Sequence, residues 1–133
     1  MKGIADTGFI VAFLNRRDAH HAWACAVAET VEAPLLTVEA VLAEAAFHVG
    51  SVEAVTKLIP AGLIQLSFTL DENLNRVETL AKRYADRTPD MADLCLICLS
   101  EQHRNRPIIT VDGDFLIYRR HQRERIPVIM PSD

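Results

Sequence analysis

Short apolar runs alternate with longer stretches of helical spacing along most of this chain. Gly3-Ile4-Ala5 is a brief apolar run ending at Asp6, and it predicts a first buried strand. Phe9–Leu14 predicts a short helix, Asn15-Arg16-Arg17-Asp18 a polar break, and the alanine-rich stretch Ala19–Val31 a second helix. Leu35-Leu36-Thr37, just past Pro34, predicts the second strand. Val38–Val49 returns to helix formers and stops at Gly50, a residue suited to a left-handed C-terminal cap. Val52–Ala61 reads as another helix, and Ile64–Phe68 alternates at period two, as a strand does. Apolar residues at 70, 74, 77, 80, 81 and 84 have helical spacing. Thr88-Pro89-Asp90 suits the start of a further helix running to about His103, because Thr or Asp can cap it and proline fits the first turn. Pro107–Val111 is the clearest β-branched strand and ends at Asp112. A short helix over Phe115–Arg119 and a last strand, Val128–Met130, complete the chain.

Strands that alternate with helices, and that read as apolar runs rather than alternating ones, indicate a parallel sheet covered on both faces. With 133 residues and no repeat, linker or low-complexity segment, the expectation is one α/β domain spanning residues 1–133. No apolar run approaches the roughly 18 residues needed to cross a bilayer, so no membrane contact is expected. Asp6 interrupts the N-terminal apolar stretch and Arg16-Arg17 closes it, with no small-residue cleavage site; it reads as structure, and the protein as cytoplasmic. Cys25, Cys95 and Cys98 are an odd set embedded in apolar helical sequence, as reduced core cysteines are.

The formal charge is −4, which argues against nucleic-acid binding through bulk positive charge. The charge is unevenly spread: residues 1–81 have 5 Lys/Arg against 10 Asp/Glu, and residues 82–133 have 9 against 8. Arg104, Arg106, Arg119, Arg120, Arg123 and Arg125 crowd the end of the chain. They form either a solvated surface or a rim that touches phosphates, and Arg119 and Arg120 are the candidates for nucleic-acid backbone contacts. His20, His21, His48, His103 and His121 show no metal-protease spacing and read as surface or helix-end residues.

The acids are more telling. In an open α/β sheet, ligands bind beyond the carboxyl ends of the strands, and Asp6 and Asp112 sit at two such ends. Asp6 alone could be a helix cap. Glu44 and Asp93 fall inside sequence that otherwise reads as core, Ala40–Phe47 and Met91–Leu99. A desolvated carboxylate must be protonated, paired or bound to metal. Asp93 has a second reading, since with Asp90 as N-cap it lies at the third helical position and favours the helix dipole. Glu39 competes with Glu44, but five residues turn a helix by roughly 140°, so the two do not share a site. Glu44 has the more apolar surroundings. Lys2, Lys57 and Lys82 are the only lysines, and most arginines lie in polar stretches, so buried cationic partners are scarce. A hard divalent cation, Mg²⁺ or Mn²⁺, resolves such a cluster because it takes oxygen ligands. Held with open water positions, it is the equipment for phosphodiester hydrolysis.

These residues resemble a known family. Ile4-Ala5-Asp6-Thr7-Gly8-Phe9-Ile10 resembles the opening motif of PIN domains, an apolar strand ending in Asp-Thr or Asp-Ser. Val41-Leu42-Ala43-Glu44 resembles the second motif, Asp90-Met91-Ala92-Asp93 the third, and Thr110-Val111-Asp112-Gly113-Asp114-Phe115 the fourth. Order, spacing and length agree over essentially the whole chain. The resemblance implies a three-layer α/β/α sandwich around a mostly parallel sheet of about five short strands. It further implies a metal-dependent endoribonuclease in which Asp6, Glu44, Asp93 and Asp112 hold Mg²⁺ or Mn²⁺. Asp114 would be a further ligand or a supporting acid, and Thr7, Thr110 and Asp90 would orient carboxylates or water. Single-domain members of this length are similar to VapC toxins of type II toxin–antitoxin pairs, which form homodimers and are silenced by a small antitoxin.

Other readings fit less well. Asp6-Thr7-Gly8 is also the triplet of aspartic proteases, but that fold is all-β. A receiver domain needs a lysine at the end of a late strand, and none follows Lys82. A phosphatase of the haloacid-dehalogenase type needs a second acid where Gly8 stands. The remaining alternative is a non-catalytic PIN-like module for RNA binding or dimerisation, and metal-dependent RNA cleavage separates it from an enzyme.

Overall fold

The apolar runs become the strands of a central sheet, and the segments of helical spacing pack around it. In the computed structural model, which describes residues 1–132, the strands are β1 (Ile4–Ala5), β2 (Leu35–Thr37), β3 (Ile64–Leu66), β4 (Ile108–Ile109), β5 (Arg119–Arg120), β6 (Glu124–Arg125) and β7 (Val128–Ile129). The helices are α1 (Thr7–Leu14), α2 (His21–Thr30), α3 (Glu39–Val49), α4 (Val52–Thr56), α5 (Leu70–Arg83) and α6 (Met91–Gln102). Five strands form one sheet in the order β3-β2-β1-β4-β7, every neighbouring pair parallel. Helices flank it, giving an α/β/α architecture. Parallel strands buried on both faces have no polar side to show, which is why these runs read as continuous apolar sequence.

Strand order sets the place of the site. From β1 the chain moves out to β2 and β3, then returns to add β4 on the opposite side of β1. The sheet thus has its switch point between β1 and β4, where a crevice opens beyond the strand ends. Register pairs Ile4 with Ile108 and Ala5 with Ile109, so the next residues, Asp6 and Thr110, emerge together. Both strands are wholly buried.

Around this edge, α1 packs on α2 and α3, α3 packs on α4 and α6, and α6 packs on α5 and β5. Helix α6 is the core helix: every residue from Ala92 to Ser100 is buried. A helix enclosed on all sides keeps no polar stripe. Asp93 is the one charged side chain among those nine. Gly8 lets α1 approach the end of β4, because a Cβ there would lie 2.3 Å from Val111 Cγ2.

The structure shortens some expected elements and adds one. Val52–Ala61 is helical only to Thr56, and the rest is turns closed by Gly62 at φ 80°. The expected helix over Phe115–Arg119 is a 3₁₀ turn over Gly113–Leu116. The antiparallel hairpin β5–β6 has no apolar signature, being built of Arg119, Arg120, Glu124 and Arg125, with His121 and Gln122 at positive φ in its turn. No helix among the described residues is long and apolar enough to cross a membrane. Cys95 and Cys98 are buried thiols, and Cys25 is half-buried with Sγ 3.4 Å from His21 Nε2.

Candidate active site

Asp6 leaves β1 in extended backbone and caps α1, with Oδ1 accepting from the Thr7 N–H at 2.7 Å. Its other oxygen, Oδ2, accepts from Thr110 Oγ1 at 2.6 Å across the switch point. Thr110 Oγ1 in turn accepts from the Asp112 N–H at 2.9 Å, so one buried hydroxyl ties the ends of both central strands together. Asp112 begins the 3₁₀ turn by accepting from the Asp114 N–H at 2.9 Å. Asp90 caps α6 through the Asp93 N–H at 2.8 Å. Three of the acids are therefore N-caps, which explains their local positions. The caps do not explain why the carboxyl groups converge.

Asp6, Asp18, Glu44, Asp90, Asp93 and Asp112 line one open cleft of about 450 Å³, together with Thr7, Gly8 and Val111. One carboxylate oxygen each from Asp93, Asp112 and Asp114 lie within 4.8 Å of one another. Glu39 is exposed and lines a different cleft, beside Phe68 and Met91. The two glutamates thus line separate clefts, as their angular separation on α3 requires.

Crowding and burial set the charge state of the cleft. Asp6 is only 5 % exposed, and that burial pushes its carboxyl from the usual 3.8 to about 6, against the bonds from Thr110 and Thr7. The Asp112 and Asp90 charges add to the rise. Glu44 is pushed up to about 7, first by burial, then by the facing Asp90 carboxyl and by Asp6. Asp93 is pushed up to about 8 by burial and by Asp90, Asp6 and Asp112, with only the Tyr118 hydroxyl bond opposing. Repulsion and desolvation outweigh the favourable helix-terminus positions. Among the described residues the only ion pair to any of these acids is Arg87 Nη1 with Asp114 Oδ1, at 4.0 Å and largely exposed.

The donor set suits a divalent cation. It consists of carboxylate oxygens on fixed elements, and burial and mutual crowding make Asp6, Glu44 and Asp93 hold their protons above the ordinary carboxylate range. Thr7 Oγ1, buried at the cleft edge without a protein partner, is a further free oxygen.

The two late arginines are placed differently from the sequence expectation. Arg120 is 3 % exposed and donates to the Ser100 and Arg104 carbonyls (3.1 and 3.0 Å) and to Glu124 Oε1 (2.7 Å). That is a correction: a guanidinium enclosed by the fold has no surface to offer a phosphate. Arg119 is half-buried, and its Nη1 donates to the Leu116, Ile117 and Tyr118 carbonyls.

Four site neighbours escaped the sequence reading, one of them Asp18, which was read only as part of a polar break. His48 and His20 line the cleft rim. His48 follows Glu44 by four residues, a spacing that puts both on one helix face and was the available signal. Tyr118, whose hydroxyl donates to Asp93 Oδ2 at 3.2 Å, sits 25 residues from its partner and carries no local signature.

No curated protein matches the sequence as a relative. The family model of the PIN domain matches residues 4–120, which takes in all four acidic motifs and the whole switch-point edge of the sheet. With that match over a parallel α/β/α sheet ending in an acid-lined cleft, the chain belongs to the PIN-domain family, whose members are generally nucleases.

Proposed function

We propose that this protein is a Mg²⁺- or Mn²⁺-dependent endoribonuclease and the toxin member of a type II, VapBC-like toxin–antitoxin pair. The observation that carries this reading is the meeting of six carboxyl groups, from five separate stretches of chain, in one cleft that no lysine or arginine lines. Asp6, Glu44, Asp93 and Asp112 would hold the ion, with Asp114 as a further ligand. When bound, a divalent cation supplies charge neutralisation at a phosphodiester and lowers the pKa of water.

The chain's own residues prepare that chemistry. Thr110 and the Thr7 N–H hold both oxygens of Asp6, so its carboxylate does not rotate away from the cleft. Asp90 fixes the first turn of α6 and keeps Asp93 at the cleft wall. Raised carboxyl pKa values make the pocket proton-loaded when empty, so protons and metal compete for the same oxygens. RNA, the polyanionic substrate of this reading, would approach past Arg87 and the exposed part of Arg119, beside the turn that bears Asp112 and Asp114.

The partners follow from the same reading. A groove of about 460 Å³ lined by Leu42, Ala46, Phe47, Val52 and Val55 leaves Phe47 82 % exposed, and it supports a homodimer. A small antitoxin and a cytoplasmic setting complete the proposal.

The test is cleavage of single-stranded and structured RNAs by purified protein with Mg²⁺ or Mn²⁺. Chelator, Asp6→Asn and Asp93→Asn should each abolish it. RNA binding that persists with no metal-dependent cleavage of varied RNAs would instead make the chain a non-catalytic binding module.

A further inference from the structure

Tyr118 is the largest wholly buried side chain, and it lies behind the acid cluster rather than in it. Its backbone N–H donates to the Asp114 carbonyl at 3.0 Å, closing the turn that presents Asp112 and Asp114. Its hydroxyl donates to Asp93 Oδ2 at 3.2 Å, on α6. One residue therefore touches both halves of the trio whose oxygens lie within 4.8 Å of one another. The ring has no freedom to wander: it meets Tyr84 edge to face at 5.0 Å and Phe115 at 5.4 Å. Tyr84 is anchored too, its hydroxyl accepting from the Arg119 N–H at 2.9 Å.

We infer that Tyr118 is a positioning residue, whose hydroxyl sets the orientation of the Asp93 carboxylate relative to Asp112 and Asp114. Asp93 needs such a brace. Among the described residues no other hydrogen bond holds its carboxyl group, and the bond of its backbone N–H to Asp90 fixes the helix start and not the carboxyl plane. Asp6, by contrast, has a donor on each oxygen. A phenol locked by aromatic packing is a fixed donor, and it directs the rest of the carboxylate's acceptor capacity elsewhere. Partners of this kind are worth about 10- to 100-fold in metal affinity.

The inference rests on the metal-site reading above, and the experiment separates the two. Mn²⁺ binding is measured by calorimetry and by the spin-resonance spectrum of the ion, on wild type, Asp93→Asn, Tyr118→Phe and Tyr84→Phe, with metal-free melts alongside. Wild type should bind Mn²⁺ and Asp93→Asn should not. Tyr118→Phe keeps the ring stack, so it should melt near wild type yet bind Mn²⁺ about 10-fold more weakly, with an altered spectrum. Tyr84→Phe removes a hydroxyl from the same stack that does not touch Asp93, and should leave affinity unchanged. If wild type takes up no Mn²⁺, the metal-site reading fails and this inference with it. If wild type binds while Tyr118→Phe binds equally well, the inference alone is overturned. It is also overturned if Tyr84→Phe loses as much affinity, or if Tyr118→Phe does not fold, since the hydroxyl would then serve packing and not Asp93.

Discussion

Raising the pH of the metal-free protein should unfold it more easily, and Asp6 lets the size of that effect be worked out. Its carboxyl rises from 3.8 to about 6 in the fold, which corresponds to about 3 kcal/mol of preference for the protonated form. A folded pKa above the unfolded one means that the folded state holds the proton more tightly. The stabilisation is then complete below pH 3.8 and is lost as pH climbs through about 6. Between pH 5 and pH 8 the loss from Asp6 is about 1.4 kcal/mol, or roughly 4 °C of melting temperature for a domain of this size. Glu44 and Asp93 shift in the same direction, with losses that run up to about 7 and about 8, so the decline continues across neutrality. Chelator-treated wild type and Asp6→Asn are melted in urea at pH 5, 6, 7 and 8. Asparagine is nearly isosteric and does not titrate, so the difference between the two curves reports Asp6 together with its repulsion of Glu44 and Asp93. Wild type should lose about 1.4 kcal/mol more than the variant over that range, and Mn²⁺ at 100 times its Kd should return about 2.7 kcal/mol to wild type. Parallel stability curves in chelator would refute the argument, since they would mean that Asp6 ionises in the fold as easily as in the open chain.

Thr110→Val removes the 2.6 Å donor to Asp6 and also strips the Asp112 N–H of its acceptor. Mn²⁺ affinity should fall about 10- to 100-fold by calorimetry, and wild-type affinity would contradict the bracing role. Gly8→Ala places a methyl 2.3 Å from Val111 Cγ2 and should cost about 1–3 kcal/mol in urea unfolding, with an unperturbed midpoint arguing that Val111 moves freely. Arg120→Ala leaves the Ser100 and Arg104 carbonyls without their donor and Glu124 with Arg104 as its remaining partner, so it should destabilise by about 1–3 kcal/mol. The slope of RNA affinity against salt should stay unchanged in that variant, and a flatter slope would mean that Arg120 reaches phosphate after all.

The strands and the long helices are legible because apolar periodicity is a local property. Ile108-Ile109 and the spacing from Leu70 to Tyr84 show it directly. The β5–β6 hairpin was not legible, since four charged residues pair there through a turn with two positive-φ residues instead of through an apolar face. Arg120 shows the same limit. Its neighbours in sequence are polar, and only the packing of α6 on β5 encloses it against Ser100 and Arg104.

From residue order alone come the α/β alternation, the acids at the ends of the first and fourth sheet strands, and two acids lodged in apolar helices. Their oddness could be recognised there because a carboxylate amid core residues conflicts with its own hydration. What the three-dimensional fold alone decides is that these groups meet. Parallel pairing of β1 with β4 sets Asp6 against Thr110, α3 and α6 bring in Glu44 and Asp93, and Tyr118 closes the cluster from behind. Such contacts span up to 104 positions of chain, and no local pattern encodes them, because strand order and helix packing are settled by burying the core as a whole.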